Sequence, residues 1–253
     1  MSSTIWTPAA LSAEARVLAA TCWRVVEAQH RISTMKLADS IAEQALLERL
    51  IDDTKAQVPD GCRHLHYLLA TPFRYAVRNP YPSRFRAGGS AEGVFYASAS
   101  PETAIAEIGF HRLLFFAESS ATPLPTNPAD YTAFAVQVSA AKAIDLARPP
   151  LNRDAALWGA LSDYAPCQRL AEAARAGGIE AIVYPSVRDT GARANYALLA
   201  PAAFAQDRPL AFQSWHVHLR RDVVLAKCEA PSVGLSLKVA DWARDPRLKA
   251  WAA

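Results

Sequence analysis

Cysteine is scarce in this chain, with four among 253 residues, at positions 22, 62, 167 and 228. None stands at the C-x-x-C spacing of a zinc or redox motif, so no metal centre is expected. The first residues, MSSTIWTPAALSAEARVL, show no basic leader before an apolar core. Widely spaced thiols without an export signal predict a reduced, cytoplasmic protein. Glycine is also sparse, at 10 residues. Neither GxGxxG nor GxxxxGK followed by Ser or Thr occurs, which removes the two commonest backbone cradles for phosphates. No apolar run reaches the roughly 18 residues of a membrane span. Charge of one sign is lacking too: 27 Lys+Arg against 24 Asp+Glu leave a net +3, too little to announce nucleic acid or anionic lipid. What remains is an ordinary globular profile, 51% hydrophobic and 20% charged, in a chain long enough to fold without staples.

The first 70 residues read as mainly helical. Leu37, Ile41, Ala45, Leu46, Leu50 and Ile51 follow helical spacing. From residue 71 prolines and glycines bracket short aromatic pieces, and 93–97 reads as a buried strand. Ser100-Pro101-Glu102 is a helix start, with serine as cap, proline in the first turn and an acid behind it. Residues 133–138 alternate like a strand. Residues 166–176 predict a helix stopped by Gly177-Gly178. Further strands are expected over 179–184, 196–199 and 212–219, and a helical tail over 237–251. Helices first, then irregularly mixed strands and helices, favour α+β over a doubly wound sheet.

Three features could carry chemistry. Residues 73–86 hold Arg74, Arg78, Arg84 and Arg86 with Phe73, Tyr75, Tyr81 and Phe85. Arginine binds phosphates bidentately and aromatics stack on rings, so a dinucleotide or a nucleic acid fits this run. The bland alternative is a basic loop whose aromatics anchor the core. Glu107 sits among small and apolar residues on the helix after residue 100. Partial burial there requires a partner or a task. Ser186 leaves an apolar strand. A triad of Ser186, His111 and Asp145 lacks the G-x-S-x-G elbow, and Cys167 has nothing around it that marks a nucleophile. His64-x-His66 and His216-x-His218 read as structural, since only on strands could they chelate.

The ordered motifs SRFR, GVFYASASPETAIAEIGFH, the Asp145-Leu146 pair and CQRLAEAARAGGIEAIVYPSVRD together resemble the RES domain, in its longer, ParT-like branch. The resemblance runs from about Trp23 to Pro209. It implies an ADP-ribosyltransferase-like α+β core of small β-sheets flanked by helices over residues 71–220. A helical N-terminal extension (1–70) would precede it and a packed tail (221–253) would follow. It implies a toxin that consumes NAD+ without a metal, paired with an Xre-type helix-turn-helix antitoxin that covers the active site. Family positions fall on Tyr96, Glu107 and Ser186, with Asn195 matching a downstream asparagine. The family arginine stands before an aromatic, as Arg84 does, and ten residues before the tyrosine, as Arg86 does. Both remain candidates, with Arg74 as a further cation. The chemistry agrees: Glu107 could stabilise a ribosyl cation, an arginine could hold the pyrophosphate, Tyr96 could stack on nicotinamide, and Ser186 could orient the carboxylate. The acceptor is expected to be a protein side chain, with water or phosphate as the alternative. A nucleic-acid module built on 73–86 is the rival of another class.

Overall fold

The computed structural model describes residues 6–28, 37–54, 56–74, 80–119, 121–249 and 251. Its helices are α1 (Pro8–Ala13), α2 (Ile41–Thr54), α3 (Tyr67–Arg74), α4 (Pro101–Glu118), α5 (Ala155–Trp158) and α6 (Ala165–Ala176). Its strands are β1 (Arg16–Glu27), β2 (Phe95–Ser98), β3 (Ala129–Asp145), β4 (Ala181–Pro185), β5 (Ala194–Leu198), β6 (Ala211–Leu219), β7 (Val223–Cys228) and β8 (Val233–Lys238). The strands form one eight-stranded sheet in the order β1-β2-β5-β4-β3-β6-β7-β8. A second pairing, β1 with β3, closes β1, β2, β5, β4 and β3 into a ring, from which β6–β8 extend. The class is α+β, as the sequence implies.

Two expectations about local structure are corrected. The region before residue 70 does contain α1, α2 and α3, but Arg16–Glu27 is a twelve-residue strand. Val17, Thr21, Trp23, Val25 and Val26 suit a strand, and the ladder to β3, from Arg16 opposite Ala143 to Glu27 opposite Tyr131, holds them in one. The tail is not one helix either. β8 runs to Lys238, and two 3-10 turns follow, Val239–Trp242 and Pro246–Leu248. Pairing of β8 with β7 and the proline at 246 leave no room for a continuous helix.

Other signals act as read. The Ser100 side chain accepts a hydrogen bond from the Thr103 amide at 3.3 Å, and Pro101 opens α4. α6 ends at Ala176, and Gly178 takes φ +72°, the left-handed conformation that glycine adopts without strain. Alternation along β2 divides two environments. Phe95 and Ala97 face the interior of the ring with Phe134, Val136 and Leu198, while Tyr96 and Ser98 face the opposite way. α4 packs Ile105, Phe110 and Leu113 against Trp215, Val217 and Val224. Gly109 lets it approach closely, since a Cβ there would meet Val224 at 3.2 Å. The face of α4 that remains, Glu107 and His111, looks into a cavity.

Candidate active site

That cavity holds about 390 Å³ and lies between α4, β1, β2, β4 and β5, the loop before β2, and the tail. Glu107 is its polar centre. One carboxylate oxygen accepts from Ser186 Oγ at 2.6 Å and from Asn195 Nδ2 at 2.7 Å. Each donor is fixed in turn. Asn195 Oδ1 accepts from Ser98 Oγ at 2.6 Å. Ser186 Oγ accepts from the amides of Arg188 and Asp189 at 3.2 and 3.1 Å. Two charge-assisted bonds to one oxygen orient the carboxylate and leave its other oxygen outside this pair. The structure thus brings Glu107, Ser186, Asn195 and Tyr96 together. Ser186 bonds Glu107, while Asp145 lines a different cavity, so no Ser-His-Asp relay forms.

The Tyr96 hydroxyl meets Ser83 Oγ at 2.8 Å and accepts from the Phe85 amide at 2.9 Å. This pins loop 83–86 beside the cavity, and burial pushes the phenol's pKa upward. The two candidate arginines differ. Arg84 lines the cavity, donates from Nη1 to the carbonyls of Trp158 and Ala160 at 2.7 and 3.0 Å, and stacks over Tyr164 at 4.6 Å. Arg86 donates to the carbonyls of Tyr81 and Ser90 and does not line the cavity; nor does Arg74, which donates to the Ala56 carbonyl. Arg84, Arg86, Phe73 and Phe85 are all buried. The run therefore supplies core anchors at these positions and not the open basic surface that a nucleic-acid module requires. Tyr75 and Arg78 lie outside the described residues. His216 and His218 do share a strand, where His216 Nδ1 meets Asp130 Oδ1 at 2.7 Å. Among the described residues no three His, Cys, Asp or Glu side chains are grouped to hold a metal. Cys167 is buried, and burial raises its thiol's pKa, which opposes nucleophile formation.

Sequence reasoning missed three residues of this site, Arg24, Arg188 and Arg247, and considered His111 only as the base of a triad that does not form. Arg24, from β1, lines the cavity and donates Nη1 to the Tyr96 carbonyl at 2.8 Å. Desolvation lowers its pKa to about 10. The signal was an arginine inside the apolar run Cys22-Trp23-Arg24-Val25-Val26, hidden by the helical reading of that segment. His111 lies one turn beyond Glu107. Burial lowers its pKa against the pull of Glu107, and Arg188, Arg247 and Arg84 add to the lowering. Arg188 and Arg247 also line the cavity, and both are held by Asp245 of the tail. The pair of Arg188 with Asp245 joins residues far apart in the chain, which no local pattern reveals.

The turn after Ser186 has its own lock. Asp189 accepts from Thr103 Oγ1 at 2.8 Å, Arg193 Nε at 2.6 Å and the Gly191 amide at 3.1 Å. Burial alone would raise its pKa, but these bonds outweigh it and bring it to about 2. A depressed carboxylate stabilises fully above its unfolded value, and that stabilisation is lost as pH falls through the folded value. Asp189→Asn should therefore lower the melting temperature at pH 7, and the gap from wild type should close as pH falls from about 4 toward 2. Parallel thermal melts across that range check this; a gap independent of pH would show that the carboxylate charge is not what holds the turn.

In this α+β fold the cavity thus sets one oriented carboxylate among lining arginines. A family model for the RES domain matches residues 58–220, and the chain belongs to that family. Among solved structures it is similar to a chain of the "Crystal structure of the M.tuberculosis MbcT-MbcA toxin-antitoxin complex", with 12% sequence identity, a TM-score of 0.47 and 93% of each chain covered. No curated protein matches the sequence.

Proposed function

We propose that this RES protein is the toxin of a bacterial toxin–antitoxin pair. It binds NAD+, cleaves the nicotinamide–ribose bond and transfers ADP-ribose to a protein target. The observation behind this reading is the pairing of Glu107 with a cationic cavity. Arg24, Arg84, Arg188 and Arg247 line it, set against Glu107 there and Asp245 behind it, which leaves a surplus of two positive charges. A dinucleotide's pyrophosphate carries that charge with opposite sign. Glu107, oriented by Ser186 and Asn195, accepts a ribose hydroxyl and offsets the charge of an oxocarbenium-like transition state. Nicotinamide leaves as a neutral ring, with Tyr96 beside it in the cavity wall. Arg84 and Arg24 hold the phosphates or ribose.

The protein acceptor is favoured by α2, where Ile41, Leu46, Leu50 and Ile51 are exposed and offer an apolar surface to another protein. A cognate Xre-type antitoxin, as in ParT-like pairs, would restrain the enzyme by covering the cavity. The decisive experiment incubates the protein with NAD+ labelled in the adenylate half, with and without cell lysate. Label on protein supports the transferase; free ADP-ribose or its 1-phosphate supports NAD+ degradation by water or phosphate; intact NAD+ in both overturns the reading.

Arg24 gives a separate test. Its guanidinium bonds the Tyr96 carbonyl with one nitrogen, and no carboxylate is paired with it among the described residues. Lysine keeps the charge and loses the fork. Arg24→Lys should raise KM for NAD+ on the order of 10-fold, about 1.4 kcal/mol, with kcat less affected. An unchanged KM in steady-state assays would remove Arg24 from the binding set.

A further inference from the structure

Arg247 lies outside the RES span, on the last 3-10 turn of the tail, yet it lines the cavity. Its guanidinium is held through Nε and Nη2. These grip Asp245 at 3.0 and 2.8 Å, and Nη2 also donates to the Leu161 carbonyl at 2.9 Å and reaches the Tyr164 hydroxyl at 3.5 Å. Nη1 has no hydrogen-bond partner among the described residues, and it is not among the buried side-chain nitrogens left without one. The Arg247 side chain is 26% exposed, whereas that of Arg188, on the same carboxylate, is 2% exposed. The carboxylate thus fixes one edge of the Arg247 fork and leaves Nη1 accessible.

We propose that Arg247 is a phosphoryl-binding residue of this cavity, delivered by the tail. Three observations converge on it. The fork is preorganised, so little side-chain entropy is lost when an anion binds. The neighbouring cations Arg84 and Arg188, which line the same cavity, make it attractive to an anion. Asp245 is shared between Arg188 and Arg247, so one carboxylate does not neutralise both. The phosphoryl group has two possible sources, the pyrophosphate of the dinucleotide or free inorganic phosphate. The first rests on the NAD+ reading above and the second does not.

The test uses full-length Glu107→Gln protein, in which NAD+ should bind while its turnover is slowed about 100-fold or more, and measures calorimetric binding of NAD+, ADP and inorganic phosphate with and without Arg247→Lys. Lysine keeps a cation for Asp245 but has no second nitrogen to present. A loss on the order of 10-fold for NAD+ and ADP assigns Arg247 to the dinucleotide. A loss confined to inorganic phosphate assigns it to a free anion. Unchanged affinity for all three overturns the proposal. If the parent binds phosphate but neither nucleotide, the NAD+ reading fails while Arg247 is still judged on phosphate. If the parent binds none of the three, both fail. Should Arg247→Lys not fold, wild type decides: NAD+, ADP or phosphate should protect Arg247 from an arginine-directed dicarbonyl, read by peptide mass spectrometry. Equal modification with and without all three ligands would overturn the proposal.

Discussion

Glu107→Gln is expected to lower NAD+ turnover by about 100-fold or more while leaving the melting temperature close to wild type. The two halves of that expectation have different physical origins. Glutamine retains a carbonyl oxygen, so Ser186 and Asn195 still find their acceptor and no buried donor is left without a partner. What is lost is the negative charge facing a ribosyl cation, and that charge acts mainly in the transition state. The loss should therefore fall on kcat and on kcat/KM alike, with KM nearly unchanged. Single-turnover and steady-state measurements on the folded variant check it. Wild-type turnover in a variant that melts normally would mean that Glu107 does not stabilise the reacting centre, and the proposed reaction would lose its central group.

The parts of this site that were legible in the sequence are those whose cause is local or whose motif is compact. Ser100-Pro101 predicts the start of α4, and the placement of Glu107 on that helix follows from it. Gly177-Gly178 predicts the end of α6. Tyr96 and Ser186 fall within ordered runs that a family resemblance can align, and Asn195 lies just beyond the last of them. Arg24 was not legible because its segment reads with the helical stretch around it, and its β pairing is made with β3, more than a hundred residues away. The choice between Arg84 and Arg86 was not legible because each met one criterion, Arg84 the aromatic that follows it and Arg86 the ten-residue spacing to Tyr96. Three-dimensional placement separates them: Arg84 faces the cavity, and Arg86 faces the carbonyls of Tyr81 and Ser90. The tail's part was hidden for a similar reason. A net charge or a helical wheel of residues 237–251 contains no sign that Asp245 meets Arg188.

Asp245→Ala should destabilise the fold more than Asp189→Asn, Arg24→Lys or Glu107→Gln. Asp245 has 0% exposure and bonds Arg188 Nη2 at 2.8 Å, while the Arg188 side chain is itself 2% exposed. Removing the carboxylate leaves that guanidinium with the Leu161 carbonyl, at 2.7 Å, and the face of Phe110, at 3.6 Å, but no counter-charge. Breaking one side of a buried pair costs about 3–5 kcal/mol, because the remaining charge stays desolvated. In a chain of this size each kcal/mol moves the melting temperature by roughly 2–4 °C, so a fall of about 10 °C is expected. The damage should also reach the site. Arg188 follows Ser186 by two residues, and its carbonyl accepts from Trp242 Nε1 at 2.8 Å, so the tail braces the turn that orients Glu107. The companion variant separates charge from packing. Arg188→Met in the Asp245→Ala background removes the stranded cation and should recover much of the lost stability. Thermal or urea unfolding of wild type, both single variants and the double variant closes the cycle. A single Asp245→Ala variant that melts within about 1 °C of wild type would show that the tail does not clamp the Ser186 turn, since a desolvated, unpaired arginine cannot be accommodated at so small a cost.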